Sequence, residues 1–205
     1  MSKYLSALTP YWLWALLSLP ALGLVSELLA ATTPKQIDGV MHGTGEFAAR
    51  FLIISLLASP LMLLFKGWRG PRWLRKNRRY FGVAAFGYGA LHLVAYVMKQ
   101  GSLTKILGEA TELEIWTGWV AFAIFLPLAA TSFDAAIRAL GPRWKNLQRA
   151  TYGAAVLVLI HWAAQEDWRS ITPALVHFGP LIGLELYRIW YWYLRPRKPR
   201  VVTAQ

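Results

Sequence analysis

Arg78–Val97 reads RRYFGVAAFGYGALHLVAYV. Two arginines open it, and an apolar run follows that is close to the ~20 residues needed to cross a bilayer. One histidine, His92, sits deep inside that run. Gly82, Ala85, Gly89, His92 and Tyr96 recur at three- and four-residue spacing, so on a helix they share one stripe. An imidazole that faces the interior of a membrane protein marks a functional site by default.

The rest of the chain repeats this pattern. It has 205 residues, 56% of them apolar, with 11 Trp and 9 Tyr, rings that collect at membrane interfaces. The apolar residues fall in long blocks at about 11–31, 47–65, 80–98, 115–133, 150–168 and 173–193. The first block exceeds the roughly 7–15 residues of a signal-peptide core, so it reads as a retained span. No internal repeat, low-complexity segment or soluble domain stands out. The expectation is an all-α membrane protein, a six-transmembrane-helix bundle forming a single domain over residues 1–205.

Charge sets the expected orientation. Lys66, Arg69, Arg72, Arg75, Lys76, Arg78 and Arg79 follow the second block, and Arg138, Arg143, Lys145 and Arg149 follow the fourth. Arg195, Arg197, Lys198 and Arg200 form the tail. The positive-inside rule places these segments, Lys3 and both termini in the cytoplasm. Asp38, Glu109, Glu112, Glu114, Glu166 and Asp167 fall in the opposite loops. The net charge of +12 is therefore a topology signal and a contact for membrane lipid, and nucleic acid is not an expected partner. The run from Lys66 to Arg79 has a second reading, docking of a phosphate-bearing cofactor or an anionic headgroup.

The chain has no cysteine, which excludes disulfides, Cys-ligated iron–sulfur clusters, thiolate zinc sites and covalent c-type haem. Histidine and carboxylate remain as strong metal ligands. His92 lies 13 residues after Arg79, and His161 lies 12 after Arg149. At about 1.5 Å per residue both sit roughly 18–20 Å from the cytoplasmic border, at nearly one height. Gly153, Ala154, Leu157, His161 and Ala164 form a stripe on the fifth block like that on the third. Two imidazoles at matched depth on faces of small residues suit the axial ligands of one haem. The plainer reading is close helix packing with each ring hydrogen-bonded to a neighbour.

His42, near the start of the second block, and His177, near the start of the sixth, read first as interfacial residues. With Arg50 they form a second candidate group, for an additional haem or a quinone. Arg50 follows Glu46 by four residues, which favours an intrahelical pair; the alternative is that it neutralises a haem propionate. Glu27 and Glu185 are the other carboxylates within the blocks, with Arg188 spaced to pair with Glu185. No Ser–His–Asp set, HExxH or nucleotide fingerprint is present, and GTGEF at Gly43–Phe47 is too short and misplaced for a phosphate loop. No catalytic residue is assigned.

Arg78–Val97 resembles the third span of the MsrQ (YedZ) family. MHGTGEFAARFLIISLLASPL at Met41–Leu61, LAATSFDAAIRALGPRWKNLQ at Leu128–Gln148 and RATYGAAVLVLIHW at Arg149–Trp162 are similar to the same family. The wider group is the ferric-reductase-like transmembrane domain. The resemblance implies a six-helix bundle carrying heme b (haem b), with FMN also associated, in a bacterial inner (plasma) membrane. It implies a haem-binding subunit rather than a catalytic one. Electrons would come from the quinone pool or a cytosolic flavin reductase. They would pass to a periplasmic molybdopterin-dependent methionine-sulfoxide reductase that repairs oxidised proteins.

On that resemblance His92 and His161 match the family's histidines on spans three and five, and His42 matches one near the start of span two. Oxidase-type members carry a second histidine about thirteen residues before each outer ligand; here those positions hold Arg79 and Gln148. The resemblance thus puts an inner bis-histidine haem in doubt and points to a flavin near the basic loop, its phosphate met by Arg75, Arg78 and Arg79. Two other functions remain open: a stand-alone ferric or quinone reductase, and a non-redox transporter or scaffold.

Overall fold

The computed structural model describes residues 3–196, with side chains described for residues 11–165 and 167–196. Arg197, Lys198 and Arg200 of the expected cytoplasmic tail lie outside the described residues, as do the side chains of Lys3 and Glu166. The described residues form helices joined by short connections, with no strand among them. The long helices are α1 (Lys3–Ala30), α2 (Pro34–Leu64) and α3 (Arg69–Gln100). A short α4 (Leu103–Gly108) leads to α5 (Leu113–Ala130), and two short helices follow, α6 (Asp134–Leu140) and α7 (Pro142–Gln148). Then come α8 (Ala150–Trp168) and α9 (Ile171–Ile189), which ends in a π-helical turn, Trp190–Leu194.

Four of these helices are long and apolar enough to cross a membrane: Tyr11–Ala30 within α1, then α2, α3 and α5. α8 and α9 have 19 residues each. α9 carries Glu185, Arg188 and two prolines within that length, which lowers its hydropathy.

Two helices begin well before the apolar blocks they contain. α2 starts at Pro34 because Thr33 caps it. The Thr33 hydroxyl accepts from the Gln36 N–H at 3.4 Å, and the Gln36 side chain accepts from the Thr33 N–H at 3.1 Å. Pro34 at the first helical position loses no hydrogen bond there. α3 starts at Arg69, so the basic stretch expected as a loop is mostly the first turns of a helix. Arg and Lys are good helix formers, and Pro71 falls in the first turn, where proline is tolerated. α3 ends where Gly101 takes a left-handed φ of 61°.

α2 packs along α3, and α5 packs along α8. α9 lies against α2 and α8, and α1 against α2 and α3. The main core forms where α2, α8 and α9 meet, around Leu52, Ile53, Leu56, Ala163, Ala174 and Phe178. Outward positions such as Leu22, Leu29, Leu126 and Val176 are exposed apolar residues, as a lipid-facing surface requires.

Candidate functional site

His92 on α3 and His161 on α8 meet at the centre of the bundle. Their ring centroids lie 5.9 Å apart with the planes at 89°. Each ring is held from behind by its Nδ1. His92 Nδ1 lies 2.8 Å from the Met41 carbonyl on α2, and His161 Nδ1 meets the Glu114 carbonyl on α5. A carbonyl only accepts, so Nδ1 must carry the proton and Nε2 the lone pair. Among the described residues neither Nε2 has a hydrogen-bond partner.

The two histidine mounts match. Gly45 lies four residues after Met41, and Gly118 four after Glu114. A Cβ at Gly45 would come 2.9 Å from His92 Nδ1, and one at Gly118 would come 2.8 Å from His161 Nδ1. Glycine is therefore what lets each ring reach its carbonyl. Thr44 and Thr117 precede the glycines, are fully buried, and turn their hydroxyls onto the same stretches of backbone. The dipeptide Thr-Gly occurs twice in the chain, once behind each histidine. Sequence reasoning noticed GTGEF only as a failed phosphate loop and saw no repeat. The signal was there, as one dipeptide on each of two separate helices.

The rings open onto a cavity of about 120 Å³ between the helices. Small residues from three helices make room for it: Gly45, Ala48 and Ala49 on α2, Ala85 and Gly89 on α3, and Gly118 and Ala121 on α5. Tyr96, Trp119, Phe122 and Phe125 supply aromatic walls. The α3 stripe expected from sequence is this wall, except that Gly82 faces a second cavity below. The α8 stripe is corrected: Val158 accompanies His161 at the cavity, while Ala154 and Ala164 are buried in helix packing and Gly153 is exposed.

The donor set fits a haem. Among the described residues no three His, Cys, Asp or Glu side chains gather as a metal site, so a bare ion would find only two protein ligands here. A porphyrin would supply the other four, and His92 and His161 would hold it through their unprotonated Nε2 atoms. The Nδ1–H bond to a backbone carbonyl is the usual support behind a metal-bound histidine.

The other expected site residues lie elsewhere. His42, Glu46, Arg50 and His177 form a polar chain outside this cavity. Arg50 donates to Glu46 at 2.6 Å and to His177 Nε2 at 3.4 Å, and His42 Nε2 lies 3.4 Å from Glu46. His177 also packs on Trp162, with centroids 4.8 Å apart. Arg50 thus takes the intrahelical pair that its spacing predicts, and among the described residues no Lys or Arg lines the histidine cavity. Glu27 is exposed, and Glu185 pairs with Arg188 at 3.0 Å.

The second cavity, about 350 Å³, lies at the basic end of the bundle and shares Leu52 and Phe125 with the first. Arg78, Arg79, Lys145, Arg149 and Arg188 line it, with Gln148 and Tyr152; Arg75 does not. Arg79 is 2.5 Å from Asp134 of α6 and holds that carboxyl below the usual carboxylate range. Arg188 donates to the Tyr152 hydroxyl at 2.9 Å.

Residues 44–159 match the ferric reductase like transmembrane component family. The chain is 39% identical over 161 residues to the protein-methionine-sulfoxide reductase heme-binding subunit MsrQ of Azospira oryzae, covering 73% of this chain and 65% of that protein. It is 31% identical to the protein of the same name from Ralstonia nicotianae, over 86% of this chain and 84% of the relative. It is also 36% identical to the magnetosome protein MamZ of Paramagnetospirillum magneticum, but the match spans only 23% of that larger protein. No solved structure matches. The matched segment contains His92 and both Thr-Gly dipeptides and ends two residues before His161, and the Ralstonia alignment runs through most of both chains. The chain therefore belongs to the MsrQ family of ferric-reductase-like transmembrane proteins.

Proposed function

We propose that this protein is a haem-binding electron-transfer subunit of a membrane oxidoreductase system, with His92 and His161 as the axial ligands of a haem b. The observation that carries this reading is the pair of imidazoles 5.9 Å apart, each with Nδ1 fixed on a backbone carbonyl and both lining a cavity of small and aromatic residues. A bound haem supplies one-electron transfer. The protein's own part is placement. The two carbonyls fix the tautomers, the glycines let the rings approach, and Leu52, Val158 and the aromatic walls exclude water from between the helices.

The finer reading has all six long helices crossing a bacterial inner membrane as one domain, with both termini cytoplasmic. The histidines then lie toward the periplasmic side. The names of the relatives point to a protein-methionine-sulfoxide reductase as the acceptor, and the finer proposal is that this partner is periplasmic and molybdopterin-dependent. The donor would be the quinone pool or a cytosolic flavin reductase. The basic cavity favours a second group: an FMN phosphate would meet Arg78 and Arg79 there, with Lys145 and Arg149 opposite. Arg75 lies outside that cavity and drops from the set.

A visible spectrum of the purified protein, with haem and flavin measured per chain, tests the proposal. We expect a Soret band that sharpens on reduction, lost in His92→Ala and in His161→Ala and kept in His177→Ala. Full haem in both of the first two variants, or a colourless protein made with ample haem, would overturn it.

A further inference from the structure

The paired Thr-Gly mounts carry a consequence beyond holding the rings. A carbonyl oxygen has two lone pairs. In a helix, Met41 already accepts from the N–H four residues on, that of Gly45. His92 Nδ1–H is a second donor at 2.8 Å, and the Thr44 hydroxyl is a third, 2.9 Å from Met41 and 2.8 Å from the Val40 carbonyl. Thr44 therefore competes with His92 for one oxygen. Behind His161 the balance differs. Thr117 is 2.6 Å from the Leu113 carbonyl and 3.3 Å from that of Glu114, so its proton is committed to Leu113. The Glu114 oxygen is left to Gly118 and His161.

The stronger the Nδ1–H···O bond, the more electron density reaches Nε2 and the better that nitrogen donates to a metal. We propose that Thr44 and Thr117 are positioning residues that set the donor strength of the two imidazoles, and set it unequally: His161 is the stronger donor and His92 the one held back. Gly45 and Gly118 complete the device by admitting the rings. This rests on the reading of His92 and His161 as axial ligands, and it assigns roles to four residues outside the ligand pair.

The test replaces each threonine by valine, which keeps the shape and removes the hydroxyl. Both threonines are fully buried, so the isostere exposes no new surface. In the full-length, haem-loaded protein, Thr44→Val frees the Met41 oxygen for His92. The midpoint potential should move negative and the low-spin electron paramagnetic resonance signal should change. Thr117→Val should move both less, and Thr44→Ser, which restores a hydroxyl, should return them toward wild type.

Gly45→Ala and Gly118→Ala should each lower haem content, whereas Gly39→Ala, with open space around its Cβ, should not. Unchanged potentials and spectra in Thr44→Val, or a larger shift in Thr117→Val, would overturn the proposal while the axial assignment stood. A colourless wild type, or haem kept by both histidine-to-alanine variants, would instead remove the assignment beneath it.

Discussion

Replacing Gly89 by leucine should push the empty and the loaded protein in opposite directions. Gly89 lines the histidine cavity, and a Cβ built there meets nothing within 4 Å. In the haem-free protein the change removes a glycine from a helix interior, which is worth roughly 0.5–1 kcal/mol. Contacts of the new side chain along the cavity wall add about 0.1–0.2 kcal/mol per atom pair. The apo bundle should therefore gain about 1 kcal/mol, which for a chain of this size raises Tm by roughly 2–4 °C. The loaded protein loses its ligand site. If haem saturates the wild type at about one hundred times its Kd, binding contributes about 2.7 kcal/mol; losing that, net of the ~1 kcal/mol gained by the apo bundle, lowers Tm by roughly 3–7 °C. The assay is thermal unfolding of haem-free and haem-loaded protein in one detergent, with haem measured per chain. A Gly89→Leu protein that keeps a full complement of haem and an unchanged loaded Tm would show that this cavity does not take the porphyrin.

Three further outcomes follow from packing, capping and charge. Phe178 is only 2% exposed in the core between α2, α8 and α9, so Phe178→Ala should cost about 3–5 kcal/mol in thermal unfolding. Thr33→Ala removes the cap of α2 and should cost about 1 kcal/mol, seen first as faster amide exchange at Gln36 and Ile37. Asp134 is held by Arg79 below the usual carboxylate range. Its contribution is therefore complete above the unfolded carboxyl's pKa and is lost as pH falls through the lowered folded value. Amide exchange in α6 should quicken at that lower pH, and Asp134→Asn should abolish the pH dependence of the step.

Much of this arrangement was legible in the sequence because a membrane simplifies the reading. Hydropathy finds the helices, and an imidazole inside an apolar run has few ordinary uses. Counting helix rise from Arg79 and Arg149 put His92 and His161 at one height, and the structure brings their rings together. Two features escaped. Hydropathy marks what is buried in lipid, not where hydrogen bonding starts, so the capped start of α2 and the basic start of α3 fell outside the blocks. The Thr-Gly mounts escaped because their meaning is tertiary. A glycine whose purpose is to admit a ring from another helix looks, along its own helix, like any small residue.

The two cavities also give physical sense to the departure at Arg79 and Gln148. They lie one above the other between the same helices, with Leu52 and Phe125 as common wall. In the upper cavity the metal-ligating groups offered are two imidazoles, beside small and aromatic residues, which suits a metal. In the lower one they are guanidinium, ammonium and amide groups, which cannot ligate iron but can hold an anion. Gln148 is already spent on the Leu128 carbonyl at 3.1 Å, and Arg79 on Asp134. Placing histidine at one position alone would leave a single imidazole facing cations. Only the double change, Arg79→His with Gln148→His, would offer a metal two imidazoles there. Haem per chain should therefore rise in the double variant and in neither single one, and flavin per chain should fall as it rises. A second haem acquired by either single variant would mean that the lower cavity already holds an imidazole-like partner, and that its cations are not what defines it.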